Sequence, residues 1–240
     1  MRVNQSYHSL NFNERDPEIP LDLIVVHYTA MDSAERALKW LCAEESKVSC
    51  HYLIDEKGTI FQIVPVEKRA WHAGESFWQG IHDINSRSIG IELSNLGDHP
   101  YPSSQIRSLL RLLHFLTRHY EIPPKNIAGH SDVAPLRKKD PGTFFPWKKL
   151  AQKGFGIWVG RDHLMRTNMC VQTLQKNLRA IGYDCPMSGD LDKKTEEITR
   201  AFFCHFYPKY ALFDRNNSRA IGVANGLLQR FKEKRLIEEI

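Results

Sequence analysis

Three residues able to bind a metal stand beside local features that would hold them still. His27 closes the β-rich apolar run Leu-Asp-Leu-Ile-Val-Val-His-Tyr over 21–28. It therefore sits at the C-terminal end of a buried strand, where α/β sheets place their ligands. His130 lies in Ala-Gly-His-Ser-Asp after another short apolar stretch, and Gly129 permits a close backbone approach. Asp140 follows ten residues later in Lys-Lys-Asp-Pro-Gly, where Pro141 and Gly142 make a rigid turn that would fix the carboxylate. Two neutral imidazoles and one carboxylate suit zinc, and three protein ligands leave a fourth position for water, the mark of a catalytic site. Spacing alone does not single these residues out of a chain with 11 histidines. The elements around them must.

The strand at 21–28 is followed by a helix. Asp32 is placed to cap it, with Glu35 completing a capping box, and Ala34, Leu38 and Leu41 recur at helical spacing. Residues 51–54 and 59–64 read as a hairpin turning at Gly58. Residues 88–94 form a further strand. A helix over 104–120 carries Ile106, Leu109, Leu110, Leu113 and Leu116 on one face and stops before Pro123-Pro124. Alternating strands and helices predict an α/β fold, a mixed central sheet flanked by helices, over 21–150. Residues 1–20 read as an N-terminal extension and the glycine-bearing stretch 151–167 as a connector. Helices at 168–181, 192–207 and 219–238 then make a small three-helix domain over 168–240, near the lower size limit for an independent core.

Composition excludes several classes. With 42% hydrophobic and 25% charged residues the chain reads as an ordinary globular protein. No run approaches the roughly 18 apolar residues of a membrane helix. The net charge of +5 comes with only two short basic runs, Arg137-Lys138-Lys139 and Lys232 to Arg235, so nucleic acid is not expected as a partner. Five cysteines without a C-x-x-C pair exclude a zinc ribbon and leave room for at most an isolated disulfide, such as Cys42 with Cys50.

Six segments occur in order: Val-Val-His-Tyr-Thr-Ala (25–30), Ser-Cys-His-Tyr-Leu-Ile (49–54), Ala-Trp-His-Ala-Gly (70–74), Ser-Ile-Gly-Ile-Glu-Leu (88–93), Ala-Gly-His-Ser-Asp (128–132) and Lys-Lys-Asp-Pro-Gly (138–142). Together they resemble the zinc-dependent type-2 N-acetylmuramoyl-L-alanine amidases, in the anhydro-muropeptide and envelope branch. The resemblance covers about residues 20–150. It implies one zinc ion per chain on His27, His130 and Asp140, with Glu92 as the catalytic acid–base and Lys138 stabilising the negative oxygen of the attacked carbonyl. Lys139 would then point elsewhere. His72 resembles the family's cleft histidine and would contact the substrate. His51 reads as a strand-supporting residue. Trp71, Trp78 and Asn85 either line the substrate groove or serve as core and loop residues.

The C-terminal segment carries Val171-Gln-Thr-Leu-Gln-Lys-Asn-Leu-Arg-Ala-Ile-Gly-Tyr183, then Gly189-Asp-Leu-Asp192, Thr195 and Ala201-Phe-Phe. It resembles the peptidoglycan-binding three-helix module, with Phe-Phe-Cys-His in place of the usual Phe-Gln ending. The implied activity is hydrolysis of the amide between N-acetylmuramic acid, or its anhydro form, and L-alanine, by a monomer acting on peptidoglycan or muropeptides. The rival is a peptidoglycan-binding protein without catalysis, but such relatives lack part of the ligand set that this chain keeps. Met1–Asn13 has no apolar leader core, which favours the cytoplasm, whereas a wall-binding module favours the envelope or periplasm. The envelope is the expectation.

Overall fold

The computed structural model describes residues 2–158, 170–208, 220–226 and 228–229. Strands β1 (Phe12–Glu14), β2 (Leu23–Tyr28), β3 (Tyr52–Ile54), β4 (Ile60–Gln62), β5 (Lys68–Ala70), β6 (Ser88–Leu93) and β7 (Ile127–Gly129) are joined by helices α1 (Ala34–Cys42), α2 (Ile84–Arg87), α3 (Ser103–His119), α4 (His130–Val133) and α5 (Trp147–Gln152). Helices α6 (Val171–Ile181), α7 (Lys193–Phe206) and α8 (220–226) follow. The central sheet has the order β4-β3-β6-β2-β7, parallel except for the β3–β4 hairpin. It is the mixed sheet that the sequence predicts.

Side-chain alternation gives this sheet two different faces. Ile24 and Val26 of β2, with Ile89, Ile91 and Leu93 of β6, pack under α3, where Ile106, Leu109, Leu112, Leu113 and Leu116 are buried. Leu112 takes an inner place and Leu110, expected there, is only half-buried. Each fully buried aliphatic side chain contributes about 1.5–3 kcal/mol, so this face anchors the sheet. The opposite face carries Leu23, Val25 and His27 of β2, with Ser88, Gly90 and Glu92 of β6. It is the face that bears the polar residues.

Helix α1 lies beside that second face, packing Ala37, Leu38 and Leu41 on Leu53 and Ile63. Its cap differs from the expectation. Ser33, in extended backbone, accepts from the Arg36 N–H at 3.3 Å, while Asp32 pairs instead with the Arg36 guanidinium four residues on. The long Arg36 side chain reaches back one turn and takes the carboxylate out of capping range.

The described residues before β2 pack on the rest of the fold. Strand β1 pairs with β5, Asn4 bridges to Phe61, and the Arg15 guanidinium bonds the carbonyls of Val66, Asn85, Ser86 and Ser88 at 2.6–3.0 Å. Burial lowers Arg15 to about 10. All five cysteines are free thiols.

Residues 159–169, most of the expected connector, lie outside the described residues, as does much of the third expected helix. The described helices share one apolar core with the catalytic body: Leu174, Leu178, Tyr183, Ile198 and Phe202 are continuous with Leu23, Val25, Trp78, Ile84 and Val133. A polar junction sits inside this core. Asp132 is 1% exposed and accepts from the Gly129 N–H at 2.7 Å, the Tyr183 hydroxyl at 2.6 Å and His205 Nδ1 at 2.7 Å. The His205 ring is itself stacked between Trp147 and Phe206 at centroid distances of 3.7 and 3.9 Å.

Removing one partner from a buried carboxylate leaves desolvated charge uncompensated. Tyr183→Phe is therefore expected to lower unfolding stability by about 1–3 kcal/mol, read from the urea midpoint of the full chain.

Candidate metal centre and active site

Parallel pairing of β2 with β6 sets His27 directly beside Glu92 in register. Strand β7 pairs on the other side of β2, through Val26 and Gly129, and delivers His130 at the first position of α4. The Asp140 segment is then tied down by its backbone, since the Ser131 N–H donates to the Asp140 carbonyl at 2.8 Å. Gly129 makes the approach possible: a Cβ there would stand 2.6 Å from Cδ of Pro141.

Three side-chain atoms converge at this point. His27 Nδ1 and His130 Nδ1 are 2.9 Å apart, and Asp140 Oδ2 lies 3.1 Å from the first and 3.0 Å from the second. All three residues are buried. Burial lowers His27 to about 4, with the neighbouring His130 acting in the same direction, so this imidazole is neutral near pH 7. Burial alone would raise Asp140, but the facing His130 and His27 hold it well below the usual carboxylate range. The remaining nitrogen of His130, Nε2, lies 3.1 Å from the Ala73 carbonyl, which can only accept. A neutral His130 thus carries its hydrogen on Nε2 and leaves Nδ1 bare.

Two imidazole nitrogens and a carboxylate oxygen within 3.1 Å of one another form a donor set that a cation between them would satisfy. Metal arms of 2.0–2.1 Å in a tetrahedron give ligand separations of roughly 3.3 Å, close to the edges seen here. The donor set therefore fits a small divalent ion with nitrogen preference.

A cleft of about 430 Å³ opens over the cluster. Met31, Trp40, Val48 and Trp71 form an apolar wall, and Arg137, Lys138 and Lys139 a basic one. Glu92 lies at its floor. Its Oε2 is buried without a hydrogen-bond partner among the described residues. Burial, reinforced by Asp140 and opposed by Lys138, pushes Glu92 up to about 8.

The structure thus brings His27, His130, Asp140, Glu92 and Lys138 to one cleft. Lys139 lines it too, contrary to expectation, because both lysines lie on the loop that leads into Asp140. Trp71 stands at the rim with its indole N–H donating to Asn13. His72 borders the cleft, yet its ring is bonded to His27 beneath the cluster. His51 is a strand support as expected: its Nδ1 accepts from the Gly90 N–H at 2.9 Å.

Two expected groove residues are not in the cleft. Trp78 is buried against Tyr183, with ring centroids 5.0 Å apart, because α6 and the chain after it cover it. Asn85 turns its Oδ1 to the backbone N–H groups of His72 and Ala73 at 3.0 and 2.8 Å. Two cleft residues were missed. Trp40 is 46% exposed on α1, and the signal for it was a large aromatic on the outer face of an amphipathic helix. Arg137 donates to the carbonyls of Ala73 and Glu75, which no spacing in the sequence announces.

Comparison with known proteins agrees with this geometry. The family model for N-acetylmuramoyl-L-alanine amidase matches residues 17–143. The chain is 33% identical to the N-acetylmuramoyl-L-alanine amidase AmiD of Escherichia coli K12 over 237 residues, covering 88% of this chain and 83% of that protein. It is 37% identical to the 1,6-anhydro-N-acetylmuramyl-L-alanine amidase AmpD of the same organism over 152 residues, covering 56% of this chain and 82% of that one. Among solved structures, AmiD in complex with anhydro-N-acetylmuramic acid-L-Ala-D-gamma-Glu-L-Lys superposes with a TM-score of 0.79 at 32% identity, over 91% of this chain and 93% of that one. AmpDh3 of Pseudomonas aeruginosa gives 0.78 at 31% identity, over 88% and 92%. Two histidines, an aspartate and a half-buried glutamate thus meet at one cleft in a chain that belongs to the N-acetylmuramoyl-L-alanine amidase family and is an amidase of that kind.

Proposed function

We propose that this amidase holds one zinc ion on His27, His130 and Asp140 and hydrolyses the bond between N-acetylmuramic acid, or its 1,6-anhydro form, and L-alanine in soluble muropeptides. The observation that carries the reading is the convergence of three bare donor atoms beside an unpartnered Glu92 oxygen in one cleft. Zinc bound there would polarise the scissile carbonyl and acidify a water molecule.

The chain's own residues do the rest. Glu92 removes a proton from the attacking water as its oxygen bonds to the carbonyl carbon. It then gives that proton to the alanine nitrogen as the carbon–nitrogen bond breaks. Burial raises the proton affinity of Glu92, which helps it hold the proton for the leaving nitrogen, while a cation bound beside it would favour the ionised form that takes the proton from water. Lys138 supplies positive charge to the carbonyl oxygen as it becomes negative. Trp40 and Trp71 offer apolar faces to the sugar ring. Arg137 and Lys139 offer charge to the carboxylates of the stem peptide, in keeping with the acidic muropeptide bound by AmiD in its complex.

For the helical segment, the geometry supports a structural part: Tyr183 and His205 brace the turn that presents His130. No helix among the described residues is long and apolar enough to cross a membrane.

The test is product analysis with purified anhydro-muramyl tripeptide. Zinc-loaded protein releases the free peptide, and chelation of the metal abolishes release. Glu92→Gln retains zinc but loses about 10²–10⁴-fold in kcat. Retention of full activity by that variant removes the acid–base role.

The same residue gives a pH signature in the metal-free protein. Its carboxyl ionises near 8 in the fold against an ordinary 4.5, so the unfolded chain loses its proton first. The contribution of Glu92 to stability is therefore undiminished below 4.5 and falls as pH rises toward 8. Metal-free Glu92→Gln is expected to match the wild type near about pH 4 and to exceed it by up to about 4 kcal/mol near about pH 9. Paired thermal melts check both ends.

A further inference from the structure

Each metal-facing histidine has a second ring nitrogen, and what that nitrogen touches fixes which one is free to bind. For His130 the partner is the Ala73 carbonyl. For His27 it is another histidine: His27 Nε2 lies 3.1 Å from His72 Nδ1. Either nitrogen of such a pair could carry the hydrogen. The polarity is decided two bonds away.

Ser88 Oγ stands 2.5 Å from the Ile84 carbonyl, and a carbonyl only accepts, so the hydroxyl hydrogen is spent there. Ser88 Oγ then presents lone pairs to His72 Nε2 at 3.3 Å, and His72 Nε2 carries the hydrogen. His72 is buried between the rings of His27 and His51, at centroid distances of 5.1 and 5.6 Å, and bonds no carboxylate among the described residues. A neutral ring with its hydrogen on Nε2 leaves Nδ1 bare, and that nitrogen accepts from His27 Nε2 at 3.1 Å. His27 is left with a bare Nδ1, aimed at His130 and Asp140.

The polarity runs inward from Ser88 without any assumption about the metal. It ends on a lone pair at the point where a metal would need one.

We infer that His72 is a positioning residue for His27, and that the Trp71–Gly74 loop is the outer shell of the metal centre, serving both histidine ligands at once. The loop's side chain at 72 accepts from His27, and its carbonyl at 73 accepts from His130. Asn85 pins it by accepting from two consecutive backbone N–H groups, those of His72 and Ala73. Gly90 gives the ring its space: a Cβ there would lie 2.4 Å from Cγ of His72. One face of β6 therefore has three successive duties. Ser88 sets the hydrogen-bond polarity, Gly90 leaves room and Glu92 faces the cleft.

This inference rests on the zinc reading above, and the experiment separates the two. Zinc affinity of the full chain is measured by competition with a chromophoric chelator, alongside kcat and KM. Wild type is compared with His72→Ala, His72→Gln and Ser88→Ala. Loss of an outer-shell acceptor costs about 10–100-fold in metal affinity. His72→Ala is expected to weaken zinc binding by that factor, with KM unchanged and with kcat restored by excess zinc. His72→Gln keeps an acceptor for His27 and a donor for Ser88, and is expected to recover most of the affinity.

Wild-type zinc affinity in His72→Ala, or a raised KM at unchanged affinity, overturns the inference and makes His72 a substrate contact. Should His72→Ala fail to fold, Ser88→Ala decides: a several-fold loss of zinc affinity supports the chain of bonds, and no loss overturns it. A wild-type chain that binds no zinc overturns the metal reading itself and takes this inference with it.

Discussion

The parallel register of β2 with β6 is the constraint on which the site depends. It sets His27 against Glu92 and Val25 against Gly90. A slip of one residue would turn His27 into the aliphatic layer under α3 and expose Val26 to the cleft. That register is held by the apolar face, not by the site. Ile24, Val26, Ile89 and Ile91 are each fully buried beneath α3, and moving any of them to the polar face would cost more than the site residues could return. The fold thus stores its stability on one side of the sheet and places repelling lone pairs on the other.

Those lone pairs would be a liability without further support. Two imidazole nitrogens and a carboxylate within about 3 Å of one another, dry and uncompensated, favour spreading apart. They stay together because each is tied through its own backbone or its far side. His27 is part of a strand paired on both edges. His130 begins a helical turn whose Asp132 is gripped by Tyr183 and His205 from the helical segment. Asp140 is drawn in by the Ser131 N–H. The C-terminal helices therefore brace the turn that carries His130 through one buried carboxylate. This explains why their core is continuous with that of the catalytic body.

Much of this was legible in sequence, and the illegible part has a physical pattern. Strand ends and helix faces follow from local signals, and an apolar run before His27, a glycine before His130 and a Pro-Gly turn after Asp140 mark where the three converging side chains are held. The helix at 103–119 was readable from its 3.6-residue period. What could not be read were duties fixed by tertiary contact. Asn85 is an ordinary polar loop residue until the fold turns it onto two amide hydrogens. Trp78 is a plausible groove residue until α6 covers it. Tyr183 and His205 are near Asp132 only in space. The cap at Ser33 in place of Asp32 was a matter of one competing arginine side chain, which no capping rule weighs.

The Ser-Ile-Gly-Ile-Glu segment shows how such duties can share a motif. Glu92 is the residue of this segment whose side chain offers chemistry to the cleft. Alternation along a strand puts every second residue on one face, so Ser88, Gly90 and Glu92 meet the site together while Ile89 and Ile91 meet the core. Replacing Gly90 by alanine would change no charge and no hydrogen-bonding group, yet it would press directly on the ring that orients His27. Gly90 is thus constrained by sterics, two residues before the glutamate that faces the cleft. The site is specified by what is absent at position 90 as much as by what is present at 92.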